Sequence, residues 1–133
     1  DKNTDPDPFM QTTAADMAAL LTMIYQCSQH GGGGLAIVFY GEITRAECLS
    51  IIELLSRNKI ATLIEAGVPE GITVAHKHGF GSGDTVGDAG IVFSPGGNYV
   101  LVVYIWHSEY LEWEQAAPMA ANISRMVYNY FNP

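Results

Sequence analysis

Apolar positions along the chain change period twice. From Thr12 onward they recur at helical spacing: Met17, Leu20, Leu21, Ile24 and Tyr25 fall on one face of a helix. Thr13 followed three residues later by Asp16 has the form of a capping box, with Asp in place of the usual Glu. Gly31 to Gly34 end this helix, because successive glycines have poor helical preference. Residues 35–40 are apolar but short, so a strand and a packed loop both fit. Thr44-Arg45-Ala46-Glu47 is a better capping box, and it introduces Cys48, Leu49, Ile51, Ile52, Leu54 and Leu55, a second amphipathic helix ending near Asn58. Residues 60–66 read as a short helical turn closed by Gly67, and Pro69-Glu70-Gly71 as a turn.

The pattern then shortens. Residues 72–78, 89–94 and 99–106 are mostly apolar and rich in β-branched and aromatic side chains, which predicts three strands. Gly81-Ser82-Gly83-Asp84 and Pro95-Gly96-Gly97-Asn98 separate them, the second reading as a hairpin turn. Helical period returns from Trp113 to Phe131, with Ala116, Met119, Ala120, Ile123, Met126, Val127 and Tyr130 on one face. Pro118 predicts that the regular helix begins there or kinks. The expected fold is α+β: helices, then a three-stranded antiparallel sheet, then one C-terminal packing helix. Residues 99–106 are apolar on both sides, so both faces of the sheet must be covered, in part by the first two helices.

Composition narrows what such a domain can do. With 133 residues, 48% hydrophobic and 15% charged, the chain suits one folded domain or one lobe of a larger one. Residues 1–11 read as a linker or a cut end, and 12–133 as the folded part. Six basic against fourteen acidic residues give a formal net charge of −8, which repels phosphate backbones and argues against nucleic acid as a partner. No apolar run reaches the roughly 18 residues of a membrane span. Against this acidic background cations stand out, and Lys77 is the lysine that lies within an apolar strand pattern.

Lys77 also starts the most suggestive chemistry. In Ala75-His76-Lys77-His78-Gly79, a strand lysine supplies positive charge for a substrate carboxylate or a developing oxyanion. Gly79 lets a substrate lie against the strand edge, and Phe80 can offer its backbone N–H to a carbonyl oxygen. His76 and His78 fall on one face of the strand with Asp84 and Asp88 nearby, but without a convincing third ligand no metal is expected. Trp106, Tyr110 and Trp113 suit packing between the last strand and helix better than a sugar-binding surface. The glycine run lacks the Lys-Ser/Thr ending of a phosphate loop. Cys27 and Cys48 are too far apart for a CxxC motif and sit among apolar neighbours, as buried thiols or as a disulfide between two helices.

Several segments in order carry a family resemblance over nearly the whole chain. They are Thr12-Thr13 with Met17-Ala18 and Leu20-Leu21; Gly67-Val68-Pro69-Glu70-Gly71; Val74-Ala75-His76-Lys77-His78-Gly79; Gly87-Asp88-Ala89-Gly90-Ile91-Val92; and Ser94-Pro95-Gly96-Gly97-Asn98-Tyr99-Val100-Leu101. Together they resemble the carboxy-terminal half of a class A β-lactamase or a related penicillin-recognising serine hydrolase. Lys77 and Gly79 match the first and third positions of that family's Lys-Thr/Ser-Gly strand motif. The resemblance implies that Lys77 binds the carboxylate of a β-lactam or peptidoglycan-like small molecule. It also implies that the N–H of Phe80 forms half of an oxyanion hole. His78 stands where the family has a hydroxyl residue, which leaves a hydrogen-bond donor but alters substrate preference. No cofactor is implied. An extracytoplasmic location is, and with it a disulfide between Cys27 and Cys48.

The family's nucleophile is the serine of Ser-X-X-Lys. Only Ser56-Arg57-Asn58-Lys59 has that spacing, and Ser56 falls in the last turn of a predicted helix, where the dipole has the wrong sign to stabilise an alkoxide. The expectation is therefore an acyl-enzyme hydrolase whose nucleophile lies upstream of this chain, the chain alone being inactive. The alternative is a non-catalytic binding or assembly module of the same fold, paired with the missing first half or with itself.

Overall fold

A computed structural model describes residues 11–81 and 83–133. Most of the expected linker, residues 1–10, and Ser82 of the expected turn lie outside the described residues. The elements run α1 (Ala14–His30), α2 (Gly34–Val38), α3 (Arg45–Leu55), a 3-10 turn (Glu65–Gly67), β1 (Thr73–Phe80), β2 (Thr85–Phe93), β3 (Tyr99–Trp106) and α4 (Trp113–Phe131). The helix order, the antiparallel three-stranded sheet and the closing helix match the sequence-based fold.

Both predicted caps form, to different degrees. Thr44 and Glu47 make a reciprocal capping box. At α1, Thr13 Oγ1 accepts from the N–H of Asp16 at 3.1 Å and donates to its Oδ2 at 2.9 Å. Aspartate is one methylene shorter than glutamate, so its carboxylate takes the cap hydroxyl instead of reaching back to the cap N–H. Gly31, at φ 69°, ends α1 in the left-handed conformation and donates its N–H to Cys27 O.

α3 ends at Leu55, three residues before the expected Asn58, and β1 runs to Phe80, two beyond the expected strand; three other segments differ more. Residues 35–40 form neither strand nor packed loop: α2 is a five-residue helix, and Ile37, Val38 and Tyr40 are exposed. In segment 60–66 only Glu65 and Ala66 belong to the 3-10 turn, which Gly67 completes. β2 begins at Thr85, four residues before the apolar run that predicted it, because Val86-Gly87-Asp88 pairs with β1 despite its turn-like composition.

The sheet order is β1-β2-β3, with both pairings antiparallel. Strand alternation divides the core between its faces. Ala75, Ala89 and Ile91 pack with Leu21, Ile24, Cys27 and Cys48 under α1 and α3. On the opposite face Val86 and Val103 meet Ala116, Ala117 and Ala120 of α4, and Val74, Val92 and Tyr99 meet Ile64. Cys27 and Cys48 are joined by a disulfide that ties α1 to α3. Pro118 sits in the first turns of α4, which starts at Trp113 rather than at the proline.

Candidate active site

β1 is an outer strand among those described, and the phase of its hydrogen bonds decides what its edge presents. The N–H of Gly81 donates to Thr85 O at 2.9 Å, so Gly81 and Thr85 form a hydrogen-bonded pair. Such pairs alternate along an antiparallel ladder. Gly79↔Gly87 and Lys77↔Ala89 therefore bond across to β2, while His76, His78 and Phe80 turn their N–H and C=O groups outward. Side chains confirm the phase. The His76 carbonyl accepts from Asn58 Nδ2 at 3.2 Å, and the His78 carbonyl accepts from Lys77 Nζ at 2.6 Å. The outer edge thus carries the Lys77 ammonium, and three residues further on the N–H of Phe80.

The even-numbered side chains of β1 face α4. His76 is 1% exposed and held between two carboxylates. Its Nδ1 donates to Asp88 at 2.9 Å, and Glu65 Oε2 lies 3.3 Å from its Nε2, close enough for charge although no aligned hydrogen bond forms there. Asp88 also accepts from the N–H of Ile64 at 3.1 Å, and Ser124 donates to Ile64 O at 2.8 Å, which links β1, β2, the 3-10 turn and α4 through one polar chain. Burial opposes a charged His76 ring, but the hydrogen bond and charge of Asp88, with the nearby Glu65 carboxylate reinforcing them, outweigh it and raise the pKa.

His78 differs. Burial and the neighbouring Lys77 charge hold its pKa below the ordinary value. Asn58 fixes the ring: its Oδ1 accepts from the N–H of Ile60, leaving Nδ2 to face His78 Nδ1 at 3.4 Å. Nδ1 is thereby the acceptor and Nε2–H the donor, so a neutral imidazole can still donate where the family has a hydroxyl. Asn58 bridges the His76 carbonyl and the His78 ring, and among the described residues no group of three or more His, Cys, Asp or Glu could hold a metal ion.

His78 and Phe80 line a cleft of about 370 Å³, whose far side is built by Tyr110, Leu111 and Trp113. Phe80 meets Trp113 edge-on, with ring centroids 6.1 Å apart. The expected packing role thus holds for Trp113, whereas Tyr110 is 62% exposed at the cleft mouth. Lys77 and Gly79 lie on the other face of β1 and do not line the cleft. The structure therefore brings His78 and Phe80 together in the cleft, and Lys77 with Phe80 only along the strand edge.

Ser56 ends α3 and donates its hydroxyl to Ile52 O at 2.9 Å. Ser28, Ser50, Ser94 and Ser124 likewise donate to backbone carbonyls. None of these is poised as a nucleophile. Sequence reasoning does not reach Glu65, places Asn58 only at a helix end beside Ser56, and gives Asp88 no role with His76 beyond a weighed metal site. The same-face spacing of His76 and His78 was the available clue that buried polar partners were needed.

The chain matches the model of a β-lactamase enzyme family over residues 1–131. No curated protein matches it. Among solved structures it is similar to a variant of PBP-A captured as an acyl-enzyme complex with penicillin G, at 28% identity and TM-score 0.70, covering 98% of this chain and 45% of that one. It is similar to an ancestral class A β-lactamase at 25% identity and TM-score 0.72, covering 96% and 44%. The TLA-1 extended-spectrum β-lactamase shares the fold at 19% identity and TM-score 0.74, covering 92% and 42%. The chain thus spans less than half the length of each of these structures.

Proposed function

The chain belongs to the β-lactamase enzyme family, and from that premise we propose that residues 12–133 are the carboxy-terminal lobe of an extracytoplasmic serine hydrolase acting on β-lactams or related cell-wall peptides. The observation that carries this is the outer edge of β1, where the Lys77 ammonium and the outward N–H of Phe80 lie along one strand. A substrate laid against that edge, beside Gly79, meets positive charge for its carboxylate and a fixed donor for its carbonyl oxygen. The acylation step needs a serine from outside this chain. Its Oγ bonds to the carbonyl carbon, the negative charge passes to the oxygen facing Phe80, the C–N bond breaks and the nitrogen takes up the proton. Water then cleaves the ester and restores the hydroxyl.

Penicillin G held as an acyl-enzyme by the PBP-A variant supports this substrate class. Nitrocefin offered to the purified 133-residue chain tests the placement of the nucleophile. No turnover is expected. Hydrolysis that Ser56→Ala abolishes would move the nucleophile into the chain.

A further inference from the structure

The cleft beside Phe80 has a chemistry of its own. Its walls are Ile60, Phe80, Val86, Leu111 and the rings of Tyr110 and Trp113, and its polar side chains are His78, Thr85 and the Tyr110 hydroxyl. Among the described residues, no Lys, Arg, Asp or Glu lines it. At about 370 Å³ it falls within the range of about 300–1,000 Å³ that suits small ligands. Phe80 is 71% exposed and Tyr110 62%, which leaves two large apolar rings open to solvent at the cleft while most of the strand interior is covered.

We infer that this cleft is a specificity subsite for an uncharged aromatic substituent of the substrate, a conclusion that rests on reading the β1 edge as the wall of a hydrolase site. Three observations commit it to that occupant. Aromatic walls, with Phe80 and Trp113 already edge-on at 6.1 Å, offer ring faces and edges to a third ring. A carboxylate entering the cleft would lose its hydration and gain no cation, against the field of a chain with formal net charge −8. And Phe80 contributes both a wall of the cleft and the outward N–H, so a ring bound there sits beside the oxyanion position, while the carboxylate is left to Lys77. His78, held neutral by burial and by Lys77, supplies a donor suited to a carbonyl or ether oxygen. The departure from the family's hydroxyl thus becomes a selectivity element.

The test is an NMR titration of the full chain with three probes: phenylacetamide, phenylacetate and acetamide. Phenylacetamide is expected to shift the Phe80 amide and the Trp113 indole resonances to saturation. Phenylacetate at neutral pH should bind about tenfold more weakly, the ratio a modest desolvation penalty gives, and acetamide should not bind. Leu111→Lys, which places a cation in the wall, should bring phenylacetate level with phenylacetamide. Tyr110→Ala, at an exposed position, should weaken phenylacetamide and phenylacetate alike. Equal or tighter binding of phenylacetate to the unaltered chain overturns the inference, as does phenylacetamide binding that leaves Phe80 and Trp113 unmoved. Because no turnover is read, absence of cleft binding would count against the subsite alone and leave the hydrolase reading standing.

Discussion

At the scale of single residues, His76 decides how the site is built. It is buried between Asp88 and Glu65, with Asn58 on its carbonyl and His78 beyond. Its raised pKa gives stability a defined pH dependence. The folded state binds the imidazole proton more tightly than the unfolded chain, so the contribution is complete below about 6.5 and is lost as pH rises through the folded value. The urea midpoint of the chain should therefore fall on going from mildly acidic to mildly alkaline pH, and His76→Gln should flatten that segment of the profile. A midpoint that rises over the same range contradicts the ion pairing. Little of this was legible in advance. Periodicity placed His76 and His78 on one face, but Asp88 reaches His76 across a strand pairing and Asn58 lies eighteen residues away from it in sequence. Local patterns carry no signal for such partners.

At the scale of elements, the helices announced by caps and period form where the sequence puts them, whereas the short, uncapped α2 carries no such signal. Thr13 and Thr44 open α1 and α3 where the capping signals put them. Segment 35–40 misled because only Leu35 is buried while Ile37, Val38, Phe39 and Tyr40 are exposed, so its continuous hydrophobicity does not track burial. Gly67 was read as the end of a turn. Its stronger constraint is α4, since a Cβ there would come within 2.4 Å of Ala121 O. The α1–α3 pair is the element most open to test. It borders the Lys77 face of β1 and is tied by Cys27–Cys48 across 21 residues. Replacing both cysteines with serine should cost about 2–4 kcal/mol in urea denaturation, chiefly by freeing the unfolded chain. An unchanged midpoint would show that packing alone holds the two helices.

For the molecule as a whole, one family motif with ordered neighbours carried most of the functional reading. Its weight comes from the fold, because only a strand at the sheet edge can offer Lys77 and the Phe80 N–H to the same substrate. The cleft was not legible: Phe80 and Trp113 are thirty-three positions apart, and only the return of α4 brings them together. The account predicts a site shared between this lobe and a nucleophile outside it. The most direct measurement is adduct mapping: label the protein as its own gene encodes it with a fluorescent penicillin, then locate the acylated residue by mass spectrometry. The adduct should fall on a serine outside these 133 residues, and Lys77→Ala should slow labelling by roughly 10²-fold. An adduct on any serine within the chain, or labelling indifferent to Lys77, would contradict it.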